Sequence, residues 1–252
     1  MEIEWMRLSA EALRERAAKN ALVLLPVASV EQHGPHLATG VDTILCGEIA
    51  RRAARIIAAK EPVVVAPTLW CGLAEHHMDF GGTFTLTLET YEAVLRDLCG
   101  SLVRHGFKRI VIVNGHGGNI DALKVIVGEL ARDLGAPIAT TTYWVLAENA
   151  FKDVLEDQTN VQHACEAETS MMMVAAPDLV DASRLSEAQG PVPRVARPIL
   201  NKPLHRAKSF KEITASGVLG DARRANKEKG ERLLAAAAEA LATGLLAGEP
   251  WV

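Results

Sequence analysis

Four short apolar runs recur along the chain: ALVLLPVAS (21–29), PVVVAPTLW (62–70), RIVIVNG (109–115) and APIATTTYW (136–144). They are continuous rather than alternating, which is the pattern of strands buried on both faces. Between them the spacing changes to steps of three and four. In 89–106, for example, Tyr91, Val94, Leu95, Leu98, Leu102 and Val103 fall on one helical face. The same spacing predicts helices over 43–60 and 119–134, the latter with Asn119 as N-cap and a stop near Gly135. Strand–helix–strand alternation predicts an α/β fold with a mainly parallel sheet and helices on both faces. The stretch 185–225 breaks the pattern with Pro191, Pro193, Pro198, Pro203 and many charges, and is expected to be a long loop with short strands. An Ala-rich helix, 226–247, closes the chain. No internal repeat divides it, so residues 1–252 are expected to form one domain.

Composition narrows the function. Hydrophobic residues make up 49% and charged residues 23%, as in soluble globular proteins. A net charge of -4 gives no basis for a nucleic-acid partner. The N-terminal twenty residues are charged throughout and lack a signal-peptide core, and no apolar run reaches the length of a membrane span. Cys46, Cys71, Cys99 and Cys165 form no C-x-x-C pair, which excludes a zinc ribbon and points to reduced thiols in a cytoplasm.

Polar clusters follow the strands. EQHGPH follows the first, CGLAEHHMDFGGT the second and NGHGGN the third. Open parallel sheets bind ligands outside the carboxyl ends of their strands, so these clusters lie where such folds place chemistry. Glu31 and His33, two apart, point the same way on extended backbone. Asp42 follows nine residues after His33, and His116 arrives from another strand end. This donor set suits zinc, manganese or iron, and two acids with two histidines suit a pair of ions sharing a carboxylate. The glycines around His116 let backbone approach a ligand or ion closely. In QHACEAETSMMM (162–173), read as helical, Glu168 and Met172 share a face, His163 and Glu166 are three apart, and Met171 to Met173 suit a core. Glu166 reads either as a solvated acid or as facing the site with His163, where it rivals Glu168. A flavodoxin-type nucleotide module is a competing reading of the same pattern.

EQHGPHLATGVD, GLAEHHMDFGGTFTLTLETY, VNGHGGN, HACEAETSMMM and SGVLGDARRANKEKG, in that order, resemble the creatininase (creatinine amidohydrolase) family over nearly the whole chain. The resemblance implies a three-layer α/β/α sandwich, usually a homohexamer. It also implies two divalent ions per subunit and attack on an amide-type carbonyl by a metal-bridging hydroxide. Glu31, His33, Asp42 and His116 match the family's metal ligands, with Asp42 as the bridge, and His163 matches the proton shuttle. Creatininase carries a glutamate where this chain has Gly118. Glu168 is the expected substitute ligand and, with His163, belongs to the expected catalytic set. His77, Gly117, Gly118 and Asn119 are expected to line the substrate. The bare Gly117 and Gly118 turn the expectation from creatinine toward another small cyclic amide or formamide. A peptide-trimming member and a metal-binding relative without turnover are the alternatives.

Overall fold

The computed structural model describes residues 2–156, 158–192 and 206–251. In chain order the elements are α1 (Ala10–Ala18), β1 (Leu22–Val27), α2 (Val41–Ile57), β2 (Val63–Val65), α3 (Leu88–Arg104), β3 (Arg109–Asn114), α4 (Ile120–Leu134), β4 (Ile138–Thr142), α5 (Tyr143–Leu146), α6 (Glu148–Lys152), α7 (Glu166–Ala175) and α8 (Lys227–Leu246). The strands form one parallel sheet of order β2-β1-β3-β4.

Every residue of β1 is buried, because both faces of the sheet are covered. Leu22 and Leu24, with Val63, Val65, Val111 and Val113, pack against α2 and α8. Val23, Leu25 and Val27, with Ile110 and Ile112, face α3 and α4 on the other side. The result is the expected three-layer sandwich. A further core joins α2, α7 and α8 through Leu45, Ile49, Met171, Met172, Leu233 and Leu234. Of the methionine run, only Met173 is less than fully buried. The order of strands reverses between β1 and β3: the chain leaves β1 toward α2 on one face and leaves β3 toward α4 on the other. A crevice opens at such a switch point.

Several boundaries differ from the sequence expectation. β2 covers only Val63–Val65, since Pro67 cannot extend a ladder; the chain touches β1 once more at Leu69. The fourth run turns helical at Tyr143, where Tyr143 and Trp144 bury into the α7–α8 core. The charged N-terminus forms α1, capped by Ser9, whose hydroxyl accepts from the Ala12 N–H. Asn119 does precede α4, and Gly135 ends it with φ 60°, but the Asn119 side chain does not cap the helix; its amide is used elsewhere. α7 starts only at Glu166, so His163 is not helical: Ala164, at φ 50°, turns the chain between them. Among the described residues, the region 185–225 holds short 3₁₀ turns and isolated bridges, Gln189–Asp221 among them, rather than strands. Pro193, Pro198 and Pro203 lie outside the described residues.

α7 and α8 meet at Gly230, where an added Cβ would overlap the Ser170 carbonyl. Alanine gains about 1 kcal/mol of helix propensity, but overpacking a close contact costs roughly 1–3 kcal/mol. Gly230→Ala is therefore expected to lower the denaturation midpoint; an unchanged or raised midpoint would mean that the helices do not touch there.

Candidate metal centre

β1 and β3 stay hydrogen-bonded beyond their ends, with the Gly115 N–H donating to the Val27 carbonyl at 2.9 Å. This brings the loop carrying Glu31 and His33 beside the loop carrying His116. Asn114 holds the latter, its amide donating to the His116 carbonyl at 2.8 Å and accepting from the His116 N–H at 3.1 Å. Gly115 has no room for a side chain: a Cβ would lie 2.5 Å from the Cys46 Cβ and 3.1 Å from the Asp42 carbonyl. The first turn of α2 thus approaches β3 closely, and Asp42 enters the crevice.

Glu31, His33, Asp42, His116 and Glu168 are each at most 4% exposed. Two groups of potential ligand atoms share Asp42: Glu31 with Asp42 and His116, and His33 with Asp42 and Glu168. The Asp42 Oδ2 lies 2.9 Å from the His116 Nδ1, which is also 3.0 Å from the Glu31 Oε2. The Asp42 Oδ1 faces the other way, 3.2 Å from the His33 Nε2, with the Glu168 Oε1 at 3.8 Å from the same nitrogen. Backbone carbonyls set the tautomers. The His116 Nε2–H donates to the Leu73 carbonyl at 3.1 Å, and the His33 Nδ1–H to the Glu31 carbonyl at 3.1 Å. Both remaining ring nitrogens therefore face carboxylates. Metal-binding histidines are held in this way. The buried Glu31 Oε2 and His33 Nε2 have no hydrogen-bond partner.

Three buried carboxylates in one cavity need positive charge, since each uncompensated ion costs several kcal/mol. Without a metal, protons supply it. Burial pushes the His116 imidazole down, but Glu31 and Asp42 outweigh this and raise it to about 10. His33 is likewise raised despite its burial, by Asp42 and Glu168. Burial and a second nearby acid raise the Glu168 carboxyl, with His33 opposing. The donor set, its orphaned atoms and its charge all fit divalent cations.

Glu168 reaches the crevice from the first turn of α7. Its Oε2 accepts from the Cys165 N–H at 3.4 Å and from the thiol at 3.8 Å, which leaves Oε1 toward His33. Gly118 cannot carry a ligand in this backbone: a Cβ there would overlap the Leu73 carbonyl and come within 2.5 Å of the His116 Nε2. Glu166 does not face this centre. It is fully buried against Lys229, so it takes neither the solvated position nor the site-facing one that the sequence left open.

His163 and His77 stand on the Glu31 side. The His77 Nε2 lies 3.2 Å from the Glu31 Oε1, and the His163 Nδ1 lies 3.6 Å from the same oxygen. The His163 Nε2–H donates to the Gln32 carbonyl at 2.7 Å, so its Nδ1 lone pair points inward. Burial, followed by the neighbouring His33 and His77, holds this imidazole neutral. Gly117 and Gly118 are half-buried beside His116, while the Asn119 amide accepts from the Leu73 N–H and donates to Asn114, anchoring two loops. Two contributors escaped the sequence reading. Gln32 reaches both histidines, its side-chain amide donating to the His77 Nδ1 at 3.0 Å and its backbone carbonyl accepting from the His163 Nε2–H. Phe210 packs its ring 4.3 Å from His77 and 4.8 Å from His163, centroid to centroid. The Ser209-x-x-Glu212 capping box around it was a readable helix-start signal, but nothing local tied that turn to the centre.

A sequence profile described as Creatininase, creatinine amidohydrolase, matches residues 6–245. The mycofactocin precursor peptide peptidase of Mycobacterium ulcerans (strain Agy99) is 30% identical over 222 residues, covering 84% of this chain and 80% of that protein. The creatinine amidohydrolase of Pseudomonas putida is 28% identical over 260 residues, covering 97% and 94%. A crystal structure of creatinine amidohydrolase superimposes with a TM-score of 0.83 over 99% of each chain at 25% identity. The chain belongs to the creatininase family of amidohydrolases.

Proposed function

We propose that the protein is a metal-dependent amidohydrolase that cleaves a C–N bond in a small cyclic amide or formamide. Two divalent ions, zinc, manganese or iron, would be held by Glu31, Asp42 and His116 on one side and by His33, Asp42 and Glu168 on the other. The observation that carries this reading is Asp42, whose two oxygens face two different sets of ligand atoms. When bound, such ions supply Lewis acidity for the attacking water and for the carbonyl under attack. His163, neutral and with its Nδ1 lone pair inward, takes the proton of that water and delivers it to the leaving nitrogen. Gln32 keeps His163 in the required tautomer through its carbonyl. His77 donates to Glu31 and braces it, and Phe210 shields both imidazoles from bulk water. Gly117 and Gly118 leave substrate-facing backbone bare beside His116. The ground for a relative without turnover was Gly118; Glu168, 3.8 Å from the His33 Nε2, supports the catalytic reading instead.

Peptide trimming is the second reading, favoured by the 30% identity to the mycofactocin precursor peptide peptidase. A screen of cyclic amides, formamides and short peptides with metal-loaded protein separates the two. We also propose a cytoplasmic homohexamer. Light scattering at micromolar concentration is expected to report the hexamer, and a monomer would refute it.

Elemental analysis after anaerobic loading is expected to find two ions per subunit, and chelation to abolish hydrolysis. Less than about half an ion per subunit would sink the metal reading. Glu168→Gln replaces a charged ligand with an amide and is expected to weaken the second ion roughly 10–100-fold or more. Normal occupancy and turnover in that variant would remove Glu168 from the site. Because His33 and His116 hold protons in the metal-free protein, loading must expel them. Affinity should rise as pH climbs toward the His116 value of about 10. Calorimetry at pH 7.5 in buffers of different ionisation enthalpy should detect at least about one proton released per subunit; zero release would contradict the charge assignment.

A further inference from the structure

Glu166 and Lys229 form a buried ion pair that the chemistry above does not use. Glu166, in the first turn of α7, is fully buried, and its Oε1 accepts from the Lys229 Nζ at 2.5 Å. Its Oε2 accepts from the Glu156 N–H at 3.1 Å. The Lys229 ammonium also donates to the Glu156 carboxylate and, at 3.0 Å, to the Arg224 carbonyl. One carboxylate and one ammonium therefore tie residue 156 to residue 166 and close the base of the loop between them. His163 stands within that loop, and Glu168 lies two residues beyond it. Ala164 in the same loop has φ 50°, a conformation that a residue with a side chain holds only when its surroundings impose it.

Helix packing does not need this pair. α7 and α8 already bury Met171, Met172, Leu233, Leu234 and Ala237 together, and their backbones touch at Gly230. A buried ion pair is a weak net source of stability compared with apolar residues of similar volume, and its best-attested use is to select one arrangement among several. Among the described residues the ammonium meets two carboxylates and a backbone carbonyl from three separate segments, and the Glu156 carboxylate also receives the Arg224 guanidinium.

We propose that Lys229 and Glu166 are positioning residues: together they clamp the 156–166 loop so that His163 and Glu168 enter the centre in register. The functional consequence rests on the roles proposed above for those two residues; the clamp itself does not.

The test uses the full-length double variant Glu166→Leu/Lys229→Met, which removes both charges and leaves neither partner buried alone. It is expected to fold with α7–α8 core exchange unchanged. In metal-free protein, amide hydrogen exchange within 158–165 should accelerate about tenfold or more. In cobalt(II) titrations the first ion should bind as in the parent, while the second weakens roughly tenfold or more and its visible absorption bands change. Parent-like exchange in 158–165 overturns the clamp. Faster exchange with parent-like cobalt binding and bands overturns its positioning role. A parent protein that binds no cobalt refutes the metal reading, while exchange still decides the clamp. Should the double variant not fold, Glu156→Ala removes the half-exposed leg, a carboxylate that also pairs with Arg224. It should still accelerate exchange in 158–165, and parent-like exchange there overturns the proposal.

Discussion

The carboxylate of Asp42 sits between two imidazoles that would otherwise have no reason to be close. One oxygen faces His116 from β3 and the other faces His33 from the loop after β1. A carboxylate can serve two centres at once only if it is buried, immobile and approached from opposite sides. The surrounding structure supplies each condition. α2 lies against the sheet through Cys46, Ala50, Ala53 and Ala54, small side chains that let its first turn come close. Gly115 removes the last obstacle, since any side chain there would push against Cys46 and Asp42.

The charge balance of the centre explains much of the polar architecture around it. Glu31, Asp42 and Glu168 are buried together, an arrangement that an apolar core would not tolerate without compensation. Each imidazole is therefore oriented by a backbone carbonyl on its outer side: Leu73 for His116, Glu31 for His33 and Gln32 for His163. Carbonyls cannot titrate, so these outer bonds hold the tautomers whatever the charge inside. His36 plays a separate part. Its Nε2 bonds the Thr169 hydroxyl at 2.7 Å and ties the loop carrying His33 to the helix carrying Glu168, while burial lowers its pKa to about 4 and keeps it neutral.

The backbone around His116 is folded so tightly over Leu73 and His76 that no side chain fits at Gly118. A third buried carboxylate, Glu168, comes instead from α7. Its direction depends on the Cys165 N–H and thiol, which hold the Glu168 Oε2 and leave Oε1 free.

Periodicity determined the parallel sheet with helices on both faces and the places of α2, α3, α4 and α8, while the polar motifs after the strands picked out Glu31, His33, Asp42 and His116. Those features rest on local rules: apolar runs mark strands with two covered faces, and ligand-type residues at their carboxyl ends mark the crevice. Local rules do not reach across the fold. The start of α7 depends on a left-handed turn at Ala164 that no residue type announces, and so His163 left the helix it was expected to share with Glu166. Asn119 has the side chain of an N-cap but gives its amide to Leu73, 46 residues away in sequence. Glu166 reads as a solvated acid or a rival of Glu168 because its partner, Lys229, lies 63 residues further along. Phe210 and Gln32 meet His77 and His163 only once three loops have converged. Which polar residue is spent on structure and which is left for chemistry is settled by long-range partners, and these exist only in the folded chain.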